Sequence, residues 1–258
     1  MKIIAVIQAK VGSKRLPNKA FEKVAGVPSI DHVIDRVLRS KEIDGVAIAT
    51  SSAEGNEIFE SKAQEKNIGC FRGSESDILE RLYLTAKKFG ADVILRITGD
   101  SPFVDPHVID QLVSEYRKRS GEIVFASTCL PMTFPEGLSM ELVSFSVLEK
   151  LNKEMTDPNE RGTFMLYISR NPEKFPRYAL KYKKDASRIR LTLDYPEDLI
   201  LARRIYDYFY GHNKKHFGLD EVISLLEKNP GWVEINQHRA DRSKYPFVYD
   251  KEAELKAL

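Results

Sequence analysis

Up to about residue 120 the chain alternates short apolar runs with amphipathic helical stretches, and that alternation narrows the fold more than any other feature. The runs "KIIAVIQ", "GVAIAT", "IGCF" and "DVILRI" have the length and near-continuous apolar character of strands buried on both faces. Between them, "SIDHVIDRVLRS" sets Ile30, Val33, Ile34, Val37 and Leu38 at helical spacing, with Ser29 expected as its N-cap. "EGNEIFESKAQEKN" reads as a second helix. "ESDILERLYLTAKKFG" reads as a third, with an apolar face of Ile78, Leu79, Leu82, Tyr83, Ala86 and Phe89. "DPHVIDQLVSEYRKR" is a fourth, with Asp105 as N-cap and Pro106 in its first position. Repeated strand-helix pairs predict an α/β fold with an open, mostly parallel sheet covered on both faces.

Past residue 120 the alternation loosens. "EIVFAS", "SMELVS", "RYALKYK" and "RIRLTL" read as strands, and helices are expected near 145–154 and 159–170, over "YPEDLILARRIYDYF", and at 219–228. A chain of 258 residues suits a single domain of this class with an inserted subdomain at about 127–185.

Composition excludes several function classes. A net charge of +2 produces no overall field for nucleic acid or an anionic membrane. Cys70 and Cys129 have neither disulfide-scaffold nor zinc spacing. The five histidines (His32, His107, His212, His216 and His238) form no metal-binding pattern. No apolar run matches a signal peptide or a membrane span, so a soluble protein of the reducing cytoplasm is expected.

Charge is local instead. Directly after the first apolar run stands "QAKVGSKRLPNK", in which Lys10, Lys14, Arg15 and Lys19 have no acid among them; the first acid is Glu22. Ligands of open parallel sheets bind beyond the carboxyl ends of the strands, where this loop falls. Gly12 lets backbone amides approach an anion, so the loop is a candidate phosphate cradle, although it matches neither GxxxxGK[ST] nor GxGxxG. "RITGDSP" puts Asp100 at another strand end, as a turn residue or as a magnesium ligand. Asp194, in "LTLDYPED", is an N-cap or a second metal carboxylate. Arg72, Gly73 and Ser74 precede a helix, and they form either an anion or base pocket or a helix cap.

In that order along the chain, "IQAKVGSKRLPNK", "FRGSESDILERL", "RITGDSPFVDPHVID", "PEGLSMELVS", "NERGTFMLYISRNPEKF" and "IRLTLDYPEDL" resemble the cytidylyltransferases that activate acidic sugars. These are the CMP-KDO and CMP-sialic acid synthetases, and the resemblance is nearer still to the spore coat polysaccharide biosynthesis protein F group. It implies a Rossmann-like nucleotidyltransferase fold of the glycosyltransferase-A type. It also implies magnesium-dependent attack of a small anionic acceptor on CTP, release of pyrophosphate, and a homodimer. By that resemblance Lys19 and Arg15 would hold the triphosphate with Gly12 and Ser13, and Asp100 and Asp194 would bind Mg²⁺. Gln8, Ala9, Lys10, Thr50, Arg72, Gly73, Ser74 and Arg96 would form the nucleotide site. Glu141, Arg161 and Arg190 would face the acceptor.

Two departures stand out. Lys10 occupies a position where the relatives have Arg, losing the bidentate fork. "GTFMLY" (162–167) replaces their "EHVTPY", so small and apolar groups stand for a His/Glu pair. Two alternatives follow: a glycosyltransferase of the same fold, disfavoured by the absence of a DxD motif, and a nucleotide-binding protein that has lost turnover.

Overall fold

Strand β1 (Ile3–Gln8) is buried on both faces, as its unbroken apolar run requires: Ile3, Ala5 and Ile7 join one hydrophobic cluster and Ile4 and Val6 another. In this computed structural model, which describes residues 1–240, a short hairpin of β2 (Lys23–Val24) and β3 (Val27–Pro28) leads into α1 (Ser29–Val37). There follow β4 (Gly45–Ser51), α2 (Ile58–Glu65), β5 (Gly69–Gly73), α3 (Ile78–Phe89), β6 (Val93–Thr98) and α4 (Pro106–Lys118). The second half contains β7 (Phe125–Ser127), β8 (Met140–Ser144), α5 (Phe145–Glu154), α6 (Pro158–Gly162), α7 (Phe164–Arg170) and β9 (Arg177–Ala179). Three helices close the described chain: α8 (Pro196–Gly211), α9 (Leu219–Lys228) and α10 (Pro230–Gln237).

Seven strands make one sheet in the order β5-β4-β1-β6-β8-β7-β9. The pairs β1–β4, β1–β6, β4–β5 and β7–β9 are parallel, while β8 runs antiparallel to both β6 and β7. The chain winds outward from β1 to β5, then returns to the other side of β1 as β6. That reversal opens a crevice at the carboxyl ends of β1 and β6, the place where α/β sheets bind ligands. The stretch 127–185 adds β8 and β9 to this same sheet and packs α5 and α7 on the face that holds α3.

Several local expectations are corrected. Ser29 is the first residue of α1 rather than its N-cap: Pro28 holds the cap position, no side chain caps the helix, and the Ser29 amide donates to Glu22 O across the β2–β3 hairpin. The second helix begins only at Ile58, after a turn through residues 54–57. The helix expected over 159–170 is divided at Thr163 into α6 and α7. "RIRLTL" forms no strand: Arg190 makes one isolated bridge to Glu136, and Leu193 N donates to Asp100 O. The cap of α3 is Asp77, which accepts from Glu80 N, while the Ser74 hydroxyl accepts from Asp77 N just upstream. Asp194 does not cap α8. Asp198 reaches back to accept from the amides of both Asp194 and Tyr195, which leaves the Asp194 carboxylate free to point elsewhere.

Candidate active site

The cationic loop is fixed from below. Leu16 and Ala20 are buried in the core and bracket Lys19, while Asn56, itself 2% exposed, accepts from Val11 N at 2.9 Å. Thr50 is wholly buried and donates to the same Asn56 oxygen, so it supports the loop from behind. Gly12 has φ +86°, the left-handed region that glycine enters without strain. Gly99 allows the loops after β1 and β6 to touch: a Cβ there would lie 2.7 Å from the Ala9 Cβ.

At the mouth of this crevice Lys19 Nζ donates to Asp100 at 2.5 Å and to Asp194 at 2.6 Å. Arg15 adds a 3.0 Å ion pair to Asp194 and stacks on the Tyr195 ring, 5.0 Å from its centroid. Burial works against the Lys19 charge, but the two carboxylates outweigh it and raise the pKa above the ordinary lysine value. For Asp194 burial alone would raise the pKa, and Lys19 and Arg15 together pull it below the usual range. Lys19 and Asp194 therefore both stay charged at neutral pH. Two carboxylates converging on a single ammonium can equally converge on a divalent ion. Magnesium takes one or two carboxylates and completes its shell with phosphates and water, so this pair fits it. Among the described residues no three His, Cys, Asp or Glu side chains gather to form an all-protein metal cage.

Two cavities meet here. One, of about 490 Å³, is lined by Gln8, Ala9, Lys10, Ser13, Arg15, Lys19 and, farther along, Glu75, Ile78 and Arg81. The other, of about 340 Å³, has a polar wall with Arg96, Glu136, Ser139 and Glu141, and an apolar wall that includes Leu130, Met132 and residues 164–166. Ile78, Thr98, Asp100 and Asp194 line both.

The remaining expected residues are placed as follows. Lys10 crosses the first cavity toward Glu75 at 3.7 Å, both being exposed. Arg72 is held by Glu57 at 2.5 Å, Glu60 at 3.0 Å and the Ser52 carbonyl, and lines neither cavity. Gly73 packs on the Arg81 stem, and its carbonyl accepts from Ser52 N. Arg96 donates to Gln8 at 2.8 Å and to Glu141 at 2.9 Å, tying β1, β6 and β8 together beneath the site. Arg161 spends its guanidinium on Asp77, Asn152 and the Met155 carbonyl. Arg190, 3% exposed, pairs with Asp198 and Glu136 and stands 3.5 Å from Asp194, behind the second cavity rather than on its wall. Sequence reasoning missed Glu136, Asn56 and Arg81. Arg81 stands beside the apolar face of α3 rather than within it, where spacing alone reads a charge as solvated.

A mostly parallel sheet whose switch point holds an anchored cationic loop and two convergent carboxylates has the make-up of an α/β nucleotide-binding site. A sequence profile of the cytidylyltransferases matches residues 4–218, and the chain belongs to that family. It is 33% identical to the uncharacterized protein MJ1063 of Methanocaldococcus jannaschii, over 94% of this chain and 98% of that one. It is 28% identical to the spore coat polysaccharide biosynthesis protein SpsF of Bacillus subtilis, over 88% and 95%. A cytidylyltransferase structure from Leptospira borgpetersenii superposes with a TM-score of 0.86 at 31% identity, covering 90% of this chain and 97% of that one. CMP:2-keto-3-deoxy-manno-octonic acid synthetase in complex with CTP shares the fold, with a TM-score of 0.62 at 18% identity over 81% and 99% of the two chains. Among the described residues no helix is long and apolar enough to cross a membrane.

Proposed function

We propose that the protein transfers CMP from CTP to a small acceptor and releases pyrophosphate, in the synthesis of a surface polysaccharide or glycoconjugate. The observation that carries this reading is the junction: Asp100 and Asp194 belong to both cavities and are held by the loop's own Lys19. CTP would lie in the larger cavity with its phosphates along Ser13, Arg15 and Lys19, which places the α-phosphate where the cavities join. The hydroxyl of an acceptor entering from the smaller cavity attacks the α-phosphorus and gives up its proton to solvent. The new P–O bond forms as the bond to the bridging oxygen breaks, and pyrophosphate leaves with that electron pair. Lys19 and Arg15 lie where they can neutralise the charge that builds on the leaving group. Asp100 and Asp194 would hold a magnesium ion, which supplies further neutralisation of the phosphates.

An acidic sugar is the acceptor that the family resemblance favours, and among the described residues its carboxylate has Arg96 as the one cation lining the smaller cavity. Cys70 and Cys129 are free thiols, in keeping with a cytoplasmic enzyme, and a homodimer follows the same resemblance. The test is pyrophosphate release from CTP across a panel of sugar acids and phosphorylated small acids. Asp100→Asn should abolish release while the fold, followed by circular dichroism, persists. Release by that variant at the wild-type rate would overturn the assignment of Asp100.

A further inference from the structure

The two walls of the smaller cavity have opposite chemistry. On one, Arg96 donates to Gln8 at 2.8 Å and to Glu141 at 2.9 Å, which leaves its Nη2 without a partner among the described residues. The other is built from Cys129, Leu130, Met132, Phe164, Met165 and Leu166. The hydroxyls on that side add no donor, because Thr163 donates to Asn159 O at 3.0 Å and Ser169 to Met165 O at 2.7 Å. Among the described residues, Cys129, Met132 and Leu166 form a hydrophobic cluster separate from the two large ones, and Leu166 is only half-buried. An apolar group that neither core covers, beside a space of about 340 Å³, is a surface for something that enters that space.

A sugar acid entering this cavity brings one carboxylate, which Arg96 Nη2 can take, and one hydroxyl to the junction at Asp100 and Asp194. Its remaining substituents meet the other wall. A hydroxyl pressed there loses its water and meets carbon and sulfur. A methyl or acyl group in the same place gives up no hydrogen bond and takes apolar surface out of water. We propose that the acceptor is a sugar acid with an apolar end, a deoxygenated methyl or an N-acyl group, seated against Met132 and Leu166. The inference rests on the nucleotidyl-transfer reading above and narrows its acceptor to acids that are not hydroxylated along their whole tail. The same wall contains the 162–167 departure, where small and apolar groups stand for a His/Glu pair, so the polar partners for a hydroxylated tail are missing from it. Met132 and Met165, unbranched and polarisable, can adapt to the shape of such a substituent.

The test is pyrophosphate release by the full-length protein, with CTP and Mg²⁺, on two matched pairs of acids. One pair is 3-deoxy-manno-octulosonate and its 8-deoxy analogue; the other is 8-amino-3,8-dideoxy-manno-octulosonate and its N-acetyl derivative. The apolar member of at least one pair should have a kcat/KM about 10–10² higher, the range over which an apolar site discriminates against a hydroxyl. A preference below about tenfold in both pairs would overturn the proposal. Met132→Gln and Leu166→Asn, checked for folding by circular dichroism and Tm, give the wall polar groups and should bring the preferred pair to within about threefold. An unchanged ratio in a folded variant seats the apolar group elsewhere and overturns the proposal too. Should Met132→Gln fail to fold, Leu166→Asn, at a half-buried position, gives the same reading, and the matched pairs need no variant. If phosphorylated small acids release pyrophosphate and sugar acids do not, this inference fails and the transfer reading stands. If no acid of either kind releases it, the transfer reading fails as well.

Discussion

Lys19 holds together at one point what would otherwise be a repulsive pair of carboxylates, and at 19% side-chain exposure its ammonium is only partly screened by water. Lys19→Met should therefore lower turnover by about 10²–10³, the range seen when one preorganised charge-stabilising donor is removed. Its far-ultraviolet spectrum should remain that of the wild type, and steady-state pyrophosphate release measures the loss. Asp194 has a pH signature of its own. Its folded pKa lies below the unfolded value of 3.8, because Lys19 and Arg15 more than offset burial. A depressed carboxylate contributes stability that is complete above the unfolded pKa and is lost as the pH falls through the folded one. Thermal melts should accordingly show the wild type losing Tm more steeply than Asp194→Asn once the pH drops below about 4, with the variant less stable at neutral pH. These residues were legible in the sequence because a cation-rich loop and carboxylates at the ends of apolar runs can be seen without coordinates. Arg161 and Arg190 looked identical to ligand-binding arginines in one dimension. What separates them is the presence of Asp77 and Asn152 around one, and of Asp198 and Glu136 around the other.

At the scale of elements, periodicity recovered the parallel strands and the long helices, since burial on both faces or along one stripe is written into residue spacing. "RIRLTL" shows where that signal ends. Its two leucines are buried, with Leu191 at 1% and Leu193 at 0%, but its backbone serves Glu136 and Asp100 rather than a neighbouring strand. Composition cannot distinguish an extended segment that pairs with loops from one that pairs with a strand. The segment matters because it passes directly against Gly137, whose φ is +101° and where a Cβ would lie 2.6 Å from the backbone of Leu191 and Thr192. Backbone atoms cannot rotate out of the way as a side chain could. Gly137→Ala should cost about 2–4 kcal/mol, from strained dihedrals plus overpacking, and lower Tm by roughly 5–15 °C. An unchanged Tm would mean that the 136–138 and 190–193 segments move independently. Asp77 joins two elements in a different way, capping α3 and accepting from Arg161 at 2.6 Å. Its replacement by Ala should destabilise by about 1–3 kcal/mol in chemical denaturation, the cap and the stranded guanidinium together.

Taken whole, the described molecule is a parallel half-sheet joined at β6 to a mixed extension through the antiparallel strand β8, and each half provides a different cavity. The loops after β1 and β6 supply the cationic one. The extension through β8, with the 129–139 loop and α7, supplies the half-apolar one. The identity of its walls was not legible in the sequence, because residues 129–132, 136–141 and 162–166 are brought together only by the antiparallel return of β8 and the break at Thr163. The "GTFMLY" departure thus falls on the wall of the smaller cavity and leaves the loop that carries Lys19 untouched. If the two cavities serve two substrates, they should be separable by mutation even though they share Asp100 and Asp194. Leu166 lines only the smaller one, from a partly exposed position on α7. Enlarging it with Leu166→Trp should fill acceptor space and raise the acceptor KM at least about tenfold, while the Kd for CTP measured without acceptor shifts by less than about twofold. Comparable losses in both constants would mean that one ligand spans both cavities, and the division of labour at the two aspartates would have to be redrawn.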